Sequence, residues 1–362
     1  MQSENYFEPD LRPTAIPAEK NRSRKTHILM LVQAVTFLLG LALLVFVIYR
    51  IGYQSLLDSL ATVGWGFLLI LALNVCRHFL RAASLYWAVA PEHRHFKYRH
   101  AVAARFGGEA VNFFSFAGPF LGDATRAVLL RRNMPLAEGA SAVIIDNILY
   151  YVTVIMMVLA GIAVLLANYG SNGSTMSNVL LAIVVVALLL FTALIFAMAR
   201  RVKPLTWIID FLEKREIAPQ FVIKQRKGLL DVERNVFQFY HDRRADFFVV
   251  FGISAGVHAI SVAEVYAALK LLGNEADIPN AFIIESLTKV INAVFSFIPG
   301  TIGVYEGGNG LILKTLGYTT AVGVALALVR RGAILFSTAV GLVILLWRGA
   351  ERSAKHLAEV DE

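Results

Sequence analysis

Phe295-Ser296-Phe297-Ile298-Pro299-Gly300-Thr301-Ile302-Gly303-Val304-Tyr305-Glu306 decides how this chain is read, because a proline and two glycines interrupt an apolar segment and a carboxylate follows. The same order occurs earlier, in Phe114-Ser115-Phe116-Ala117-Gly118-Pro119 leading to Gly122-Asp123. Both breaks lie among long apolar stretches. In hydrocarbon each unpartnered backbone group costs several kcal/mol, so non-helical chain at that depth must line protein or water. Two matching breaks with charge beside them point to a polar cavity near the middle of a bilayer, where transporters built from repeats place their substrate.

Outward from the breaks the chain stays apolar. Hydrophobic residues make up 57% of its 362 positions and its mean hydropathy is +0.63, against about 45–50% apolar residues in soluble domains. The fold class is an all-α polytopic membrane protein. Ile28 to Tyr49 is a run of 22 residues interrupted only by Gln33, Thr36 and Gly40, enough helix for roughly 30 Å of hydrocarbon. It exceeds a signal-peptide core of about 7–15 residues and no small-x-small site follows, so it reads as an uncleaved first helix. Further spans fall near 65–90, 137–168, 178–199, 246–272 and 319–347, six in all, with the broken segments at about 101–122 and 281–316.

The net charge of +8 is read by position, since basic residues of membrane proteins mark cytoplasmic loops. It is no argument for nucleic acid. Lys20 to Lys25, the run Arg94, Lys97 and Arg99, the pair Arg131 and Arg132, the stretch 200–244, and Arg348, Arg352 and Lys355 fall on the cytoplasmic side. The connections near 50–64, 168–178 and 273–280 are poor in Lys and Arg and face outward. This map predicts that both termini are cytoplasmic; the location expected is a bacterial-type plasma (inner) membrane. Six crossings satisfy it when each broken segment enters and leaves on one side, as two re-entrant hairpins from opposite faces; that is the pattern of an inverted repeat. The alternative, two full crossings, leaves the cluster from Arg126 to Arg132 on the outer face. Residues 1–26, with Pro9, Pro13 and Pro17, read as a disordered cytoplasmic tail, 27–348 as the transmembrane domain and 349–362 as a second cytoplasmic tail. Within the domain, 200–244 carries Leu229, Leu230, Val236, Phe237 and Tyr240 at helical spacing among basic residues. Two readings are open for it: an amphipathic helix on the inner leaflet or a solvated linker.

Ionisable groups at bilayer depth cost about 2.5–3.5 kcal/mol each on insertion scales, so each is a functional candidate with a partner to be found. Arg77 and Arg81 are four apart on one helix face and suit either a lipid phosphate or snorkelling and pairing with neighbours. Arg105 with Glu109, and Glu285 with Lys289, sit at the spacing that allows mutual neutralisation. Asp123 follows the first break and could cap the next helix, yet capping leaves Arg126 and the equivalent Glu306 unexplained. Asp146, Glu264 and Arg330 stand within apolar helices and suit proton transfer, headgroup balance or interhelix pairing. His258 reads as a hydrogen-bonded core residue. His93, His95 and His100 lie among Arg94, Lys97 and Arg99 and read as a basic interfacial loop, not a metal site. The single cysteine, Cys76, offers neither a disulfide nor a metal cluster within one chain. No Gly-x-Ser-x-Gly elbow, His-Glu-x-x-His pair or Walker loop occurs, so hydrolase, zinc-peptidase and ATPase chemistry lack support. No cofactor is expected.

At these residues the chain resembles the lysylphosphatidylglycerol synthase transmembrane family, also described as flippase-like integral membrane proteins. That family shows Gly-Asp/Glu-x-x-Arg-x-x-x-Leu after the first break, matched by Gly122, Asp123, Arg126 and Leu130. Its second signature, Pro-Gly-Gly-x-Gly-x-x-Glu, corresponds to Pro299 through Glu306, with Thr301 in place of the middle glycine. An acidic-basic pair common in the helix after the first motif is here Asp146-Asn147, and the arginine of the last span is Arg330 or Arg331. In multi-domain relatives a soluble domain attaches lysine to phosphatidylglycerol and the membrane portion moves the product between leaflets. Lysyl transfer is not carried over, because that soluble domain is not found in this sequence.

The leading expectation is a lipid translocator, not an enzyme. Its substrate-binding set would be Arg77, Arg81, Asp123, Arg126, Asp146, Glu264, Pro299, Gly300, Gly303, Glu306 and Arg330, with basic groups holding a headgroup while acyl chains stay in lipid. The resemblance implies a phospholipid, hopanoid or isoprenoid-linked lipid as cargo, and a lipid-synthesis enzyme as a possible partner. The alternatives are an integral-membrane transferase using Asp123 or Glu306 as base, and a non-transporting scaffold.

Overall fold

The computed structural model describes residues 61–115, 118–169, 174–200, 203–215 and 220–360, with positions 54 and 58. The expected tail at 1–26 and the span at 28–49 lie outside the described residues. Regular structure among the described residues is helical throughout. The long helices are α1 (Phe67–Ala88), α4 (Leu136–Tyr169), α5 (Ser174–Ala199), α8 (Arg244–Leu271) and α11 (Thr320–Val360). Ala61–Ala88, Leu136–Tyr169, Arg244–Leu271 and Thr320–Trp347 are long and apolar enough to cross a membrane. They match four of the six expected spans. A fifth, α5, is present as a helix with the shorter apolar segment Asn178–Ala193.

The two broken segments form helical pairs. The first is α2 (Tyr98–Phe114) with α3 (Gly118–Leu130), the second α9 (Ile278–Val294) with α10 (Val304–Thr315). At about 1.5 Å per residue, 17 and 13 residues give about 26 and 20 Å for the first pair, and 17 and 12 give about 26 and 18 Å for the second. Each arm is shorter than the roughly 30 Å a crossing needs. Glycines let the arms close: a Cβ on Gly122 would stand 2.7 Å from the Gly108 carbonyl oxygen, so α2 and α3 touch backbone to backbone.

The chain thus divides into two similar halves, α1 with α2/α3 and α4, and α8 with α9/α10 and α11. The apolar core forms two main clusters, one around each hairpin, and each takes in residues of the other half. One cluster gathers Ile70, Val265, Leu269, Ile284, Leu313 and Leu326 around the second hairpin. The other gathers Leu85, Ala104, Leu130, Ile145, Leu149 and Phe239 around the first. The halves join where α1 lies along α8 and α2 along α11. At the second contact Gly341 leaves no room for a Cβ beside the Phe106 carbonyl and Ala110.

Between the halves, the basic stretch 200–244 forms α6 (Pro204–Lys214) and α7 (Gln220–Asp242). The apolar face of α7, with Val232 and Phe239 buried, packs on α4. Asn235 Nδ2 donates to Glu138 Oε1 at 2.8 Å, tying α7 to the start of α4. At the end of α7, Arg243 donates to the carbonyls of Trp87, Ala88 and Val89, the last turn of α1. Arg94 reaches two of the same carbonyls, and both arginines bind Asp246. Cations at a helix C-terminus satisfy the orphan carbonyls there and complement the dipole. The last helix, α11, continues through Val360, so most of the segment drawn as a tail at 349–362 is helix.

Candidate functional site

The second break is held by side chains. After α9 ends, the chain turns through Phe295–Ile298 into a short 3-10 turn at Pro299–Thr301, with positive φ at Gly300 (59°), Thr301 (51°) and Gly303 (83°). Arg331 Nη1 donates to the Gly300 carbonyl at 2.5 Å. The Gly303 amide donates to Glu306 Oε2 at 2.6 Å, and Glu306 Oε1 receives Arg331 Nε at 2.8 Å. A carboxylate three residues into a helix that accepts the amide at the helix start is half of a capping box. Backbone groups freed by the break therefore meet Glu306 and Arg331, the supply that irregular chain at membrane depth requires. Glu306 is fully buried.

The first break is held differently. Ser115 ends α2 in extended conformation (φ −108°, ψ 140°), and its buried Oγ has no hydrogen-bond partner among the described residues. The helix α3 begins at Gly118, which puts Asp123 more than a turn inside it. Asp123 is therefore no N-cap, contrary to the expectation from its place after the break. Instead it accepts from Arg126 Nη1 at 2.7 Å and from Asn147 Nδ2 at 2.6 Å.

From there the charges run on. Arg126 approaches Glu109, which is paired with Arg105 on the same helix at 3.1 Å. Asn147 accepts from Arg81 Nη2 at 3.3 Å, and Arg81 forms a two-toothed pair with Asp146 at 3.0 and 2.9 Å. Ser84 completes the Asp146 shell. Asp146 thus finds its cation on α1, and Asn147, standing where relatives carry a base, bridges two ion pairs.

A second row crosses the second half. Arg330 binds Glu264 at 3.1 Å and Glu285 at 2.8 Å. Arg77 reaches Glu264 at 3.4 Å and Ser261 Oγ at 3.3 Å. Glu285 also pairs with Lys289 at 2.8 Å, and Lys289 donates to Tyr150 Oη at 3.3 Å. Tyr150 joins the rows, since Arg81 lies 4.1 Å over its ring. His258 packs tilted against the same ring at 5.0 Å and bonds to Thr153 Oγ1 at 3.0 Å, as a core histidine would.

The two breaks meet. A Cβ on Gly300 would lie 2.8 Å from the Phe113 ring, so the tip of α2 rests against the second turn. Of the residues singled out from sequence, Arg81, Asp123, Arg126 and Asp146 fall in the first row, Arg77, Glu264 and Arg330 in the second, and Gly300, Gly303 and Glu306 at the second break, with Pro299 opening its turn. Asn147, Tyr150, Glu285, Lys289 and Arg331 join these groups although they were not among the residues expected to bind substrate. For Glu285 and Lys289 the four-residue spacing was the available signal; for Asn147 and Tyr150 there was none beyond position on α4. Among the described residues no group of histidine, cysteine and carboxylate side chains is arranged to hold a metal.

Long apolar helices around two short broken hairpins and a buried charge network define a polytopic α-helical membrane protein with a polar interior. The chain belongs to the lysylphosphatidylglycerol synthase TM region family, whose model matches residues 33–341. Membership ties it to lipid metabolism in a membrane. Neither a curated protein nor a solved structure matches the chain.

Proposed function

We propose that the protein is a lipid translocator that moves a polar-headgroup lipid between the leaflets of a bacterial-type inner membrane, with both termini cytoplasmic. The supporting observation is the contact of the two broken hairpins at Phe113 and Gly300, with linked charges on both sides of it. Each arm is too short to cross, so two hairpins that touch tip to tip bring polar surface from both faces to one depth. A headgroup offered that path avoids bare hydrocarbon, while its acyl chains remain in lipid. The glycines at the tip and the ion pairs that can exchange partners suit a passage that opens toward one face at a time. The protein acts as a transporter, not an enzyme, and takes its substrate from a lipid-synthesis enzyme.

Reconstitution into vesicles tests this. Wild-type protein should exchange a fluorescent lipid between leaflets, and Arg126→Ala should lower the rate at least tenfold at equal amounts of folded protein, with a lower melting midpoint because Asp123 and Glu109 lose their shared cation. Equal rates in protein-containing and protein-free vesicles reject the proposal.

A further inference from the structure

The charges of the site do not balance. In the first row three cations, Arg81, Arg105 and Arg126, face three carboxylates, Glu109, Asp123 and Asp146. Arg331 and Glu306 balance each other. In the remaining row three cations, Arg77, Lys289 and Arg330, share only Glu264 and Glu285. Among the described residues the surplus is one positive charge. His78 and His258 are also buried in this region, and protonating either would add to the same sign. Within this row Arg77 and Lys289 are the more accessible cations, with side chains 16% and 12% exposed against 4% for Arg330.

An apolar cleft of about 530 Å³ lies beside this row, between α4, α8 and α9. Met156, Ala259 and Ile278 on its wall are exposed, so it opens outward, and Phe282 and Val262 line it further in. His258 is part of its wall, packed against Tyr150, which accepts the Lys289 hydrogen bond. Two side chains, His258 and Tyr150, thus connect the wall of the cleft to Lys289. Its volume lies within the roughly 300–1,000 Å³ of ligand sites.

We infer that the surplus and the cleft form one site for a lipid whose headgroup carries a single net negative charge. Its phosphodiester sits at Arg77 and Lys289, and one hydrocarbon chain lies in the cleft between α4, α8 and α9. The inference deepens the translocator reading and rests on it for why a lipid would be handled at all. An unmatched cation at bilayer depth is costly, and so is an unmatched anion; placed together, each removes the other's penalty. A zwitterionic headgroup brings its own cation and leaves the surplus where it was.

Binding is the test, because it does not depend on transport. The full chain in mixed micelles holding equimolar phosphatidylmethanol (net charge −1) and phosphatidylcholine (net charge 0) is examined by native mass spectrometry. The anionic lipid should be retained roughly tenfold over the zwitterionic one, as expected for one partly screened charge pair. Arg77→Gln, which brings the count to balance, should bring that preference to within about twofold; if this variant does not fold, Lys289→Gln serves in its place. Ala259→Phe, which fills the cleft from an exposed position, should weaken retention of both lipids and keep their ratio. Equal retention of the two lipids by wild-type protein overturns the inference, whether or not leaflet exchange occurs. Unchanged retention in Ala259→Phe overturns the placement of the chain. Preferential retention without leaflet exchange supports the inference and rejects the translocator reading.

Discussion

The two halves use the same scaffold with the signs of charge exchanged. In the first, a cation on the leading span, Arg81 of α1, pairs with an anion on the closing span, Asp146 of α4. In the second, an anion on the leading span, Glu264 of α8, pairs with a cation on the closing span, Arg330 of α11. The hairpin arms repeat the exchange: Arg105 precedes Glu109 on α2, whereas Glu285 precedes Lys289 on α9. Arg77 of the first half can therefore reach across to Glu264 of the second. Halves of like sign would repel at this seam; opposite signs bind.

That comparison breaks first at Arg330, which neutralises two carboxylates where Arg81 neutralises one. Removing one member of a buried pair costs about 3–5 kcal/mol. Arg330→Met should fall at the upper end, seen as a large drop in the thermal midpoint in detergent or as loss of folded protein. A midpoint equal to wild type would show that the second half does not depend on this row. Arg81→Met should cost about 3 kcal/mol, because Ser84 still serves Asp146. The swapped pair Arg81→Asp with Asp146→Arg should recover part of the lost midpoint; no recovery would mean that the pair acts through its surroundings.

The two breaks differ in the same instructive way. Glu306 is fully buried and holds the backbone of its break, whereas Asp123 is partly accessible and binds only side chains. Glu306→Gln should cost about 3 kcal/mol, the lower end of the range for breaking a buried pair, because the amide keeps the hydrogen bonds but leaves Arg331 without its anion. Asp123→Asn should cost less than half of that while still slowing leaflet exchange. Equal losses of stability would erase the distinction between a structural and a working carboxylate. The smallest effect belongs to Thr301, a β-branched residue at φ 51°. Left-handed backbone costs roughly 1–2 kcal/mol for non-glycine residues, and glycine's own entropy returns part of it. Thr301→Gly should raise stability by less than about 1 kcal/mol; a loss would show that the Thr301 hydroxyl bond to Gly300 matters more than strain.

Much of this was legible beforehand where the signal is local. The pairs Arg105/Glu109 and Glu285/Lys289 follow from helical spacing, and the four long spans follow from runs of apolar residues. Partners far apart in sequence were not legible. Arg81 and Asp146 are 65 residues apart, and Arg330 and Glu264 are 66 apart. The buried charges whose partners lie on other helices announced the need for a partner without naming it. Asp123 shows the limit at short range as well: its position after a glycine and proline suggested a cap, but the helix begins at Gly118 and turns Asp123 toward Asn147 on α4. Arg330 and Arg331 could not be ranked from sequence, and the structure uses both, one for each face of α11.

By itself the sequence determined an all-α membrane protein, the two places where the helix must stop, and the family. These follow from properties that act within a few residues: hydrocarbon transfer, the missing amide of proline and the freedom of glycine. Tertiary structure alone decided which charges neutralise each other, that the breaks touch, and that one row keeps a surplus cation. Coulomb attraction depends on the distance between groups, and across helices that distance is set only when the backbones pack.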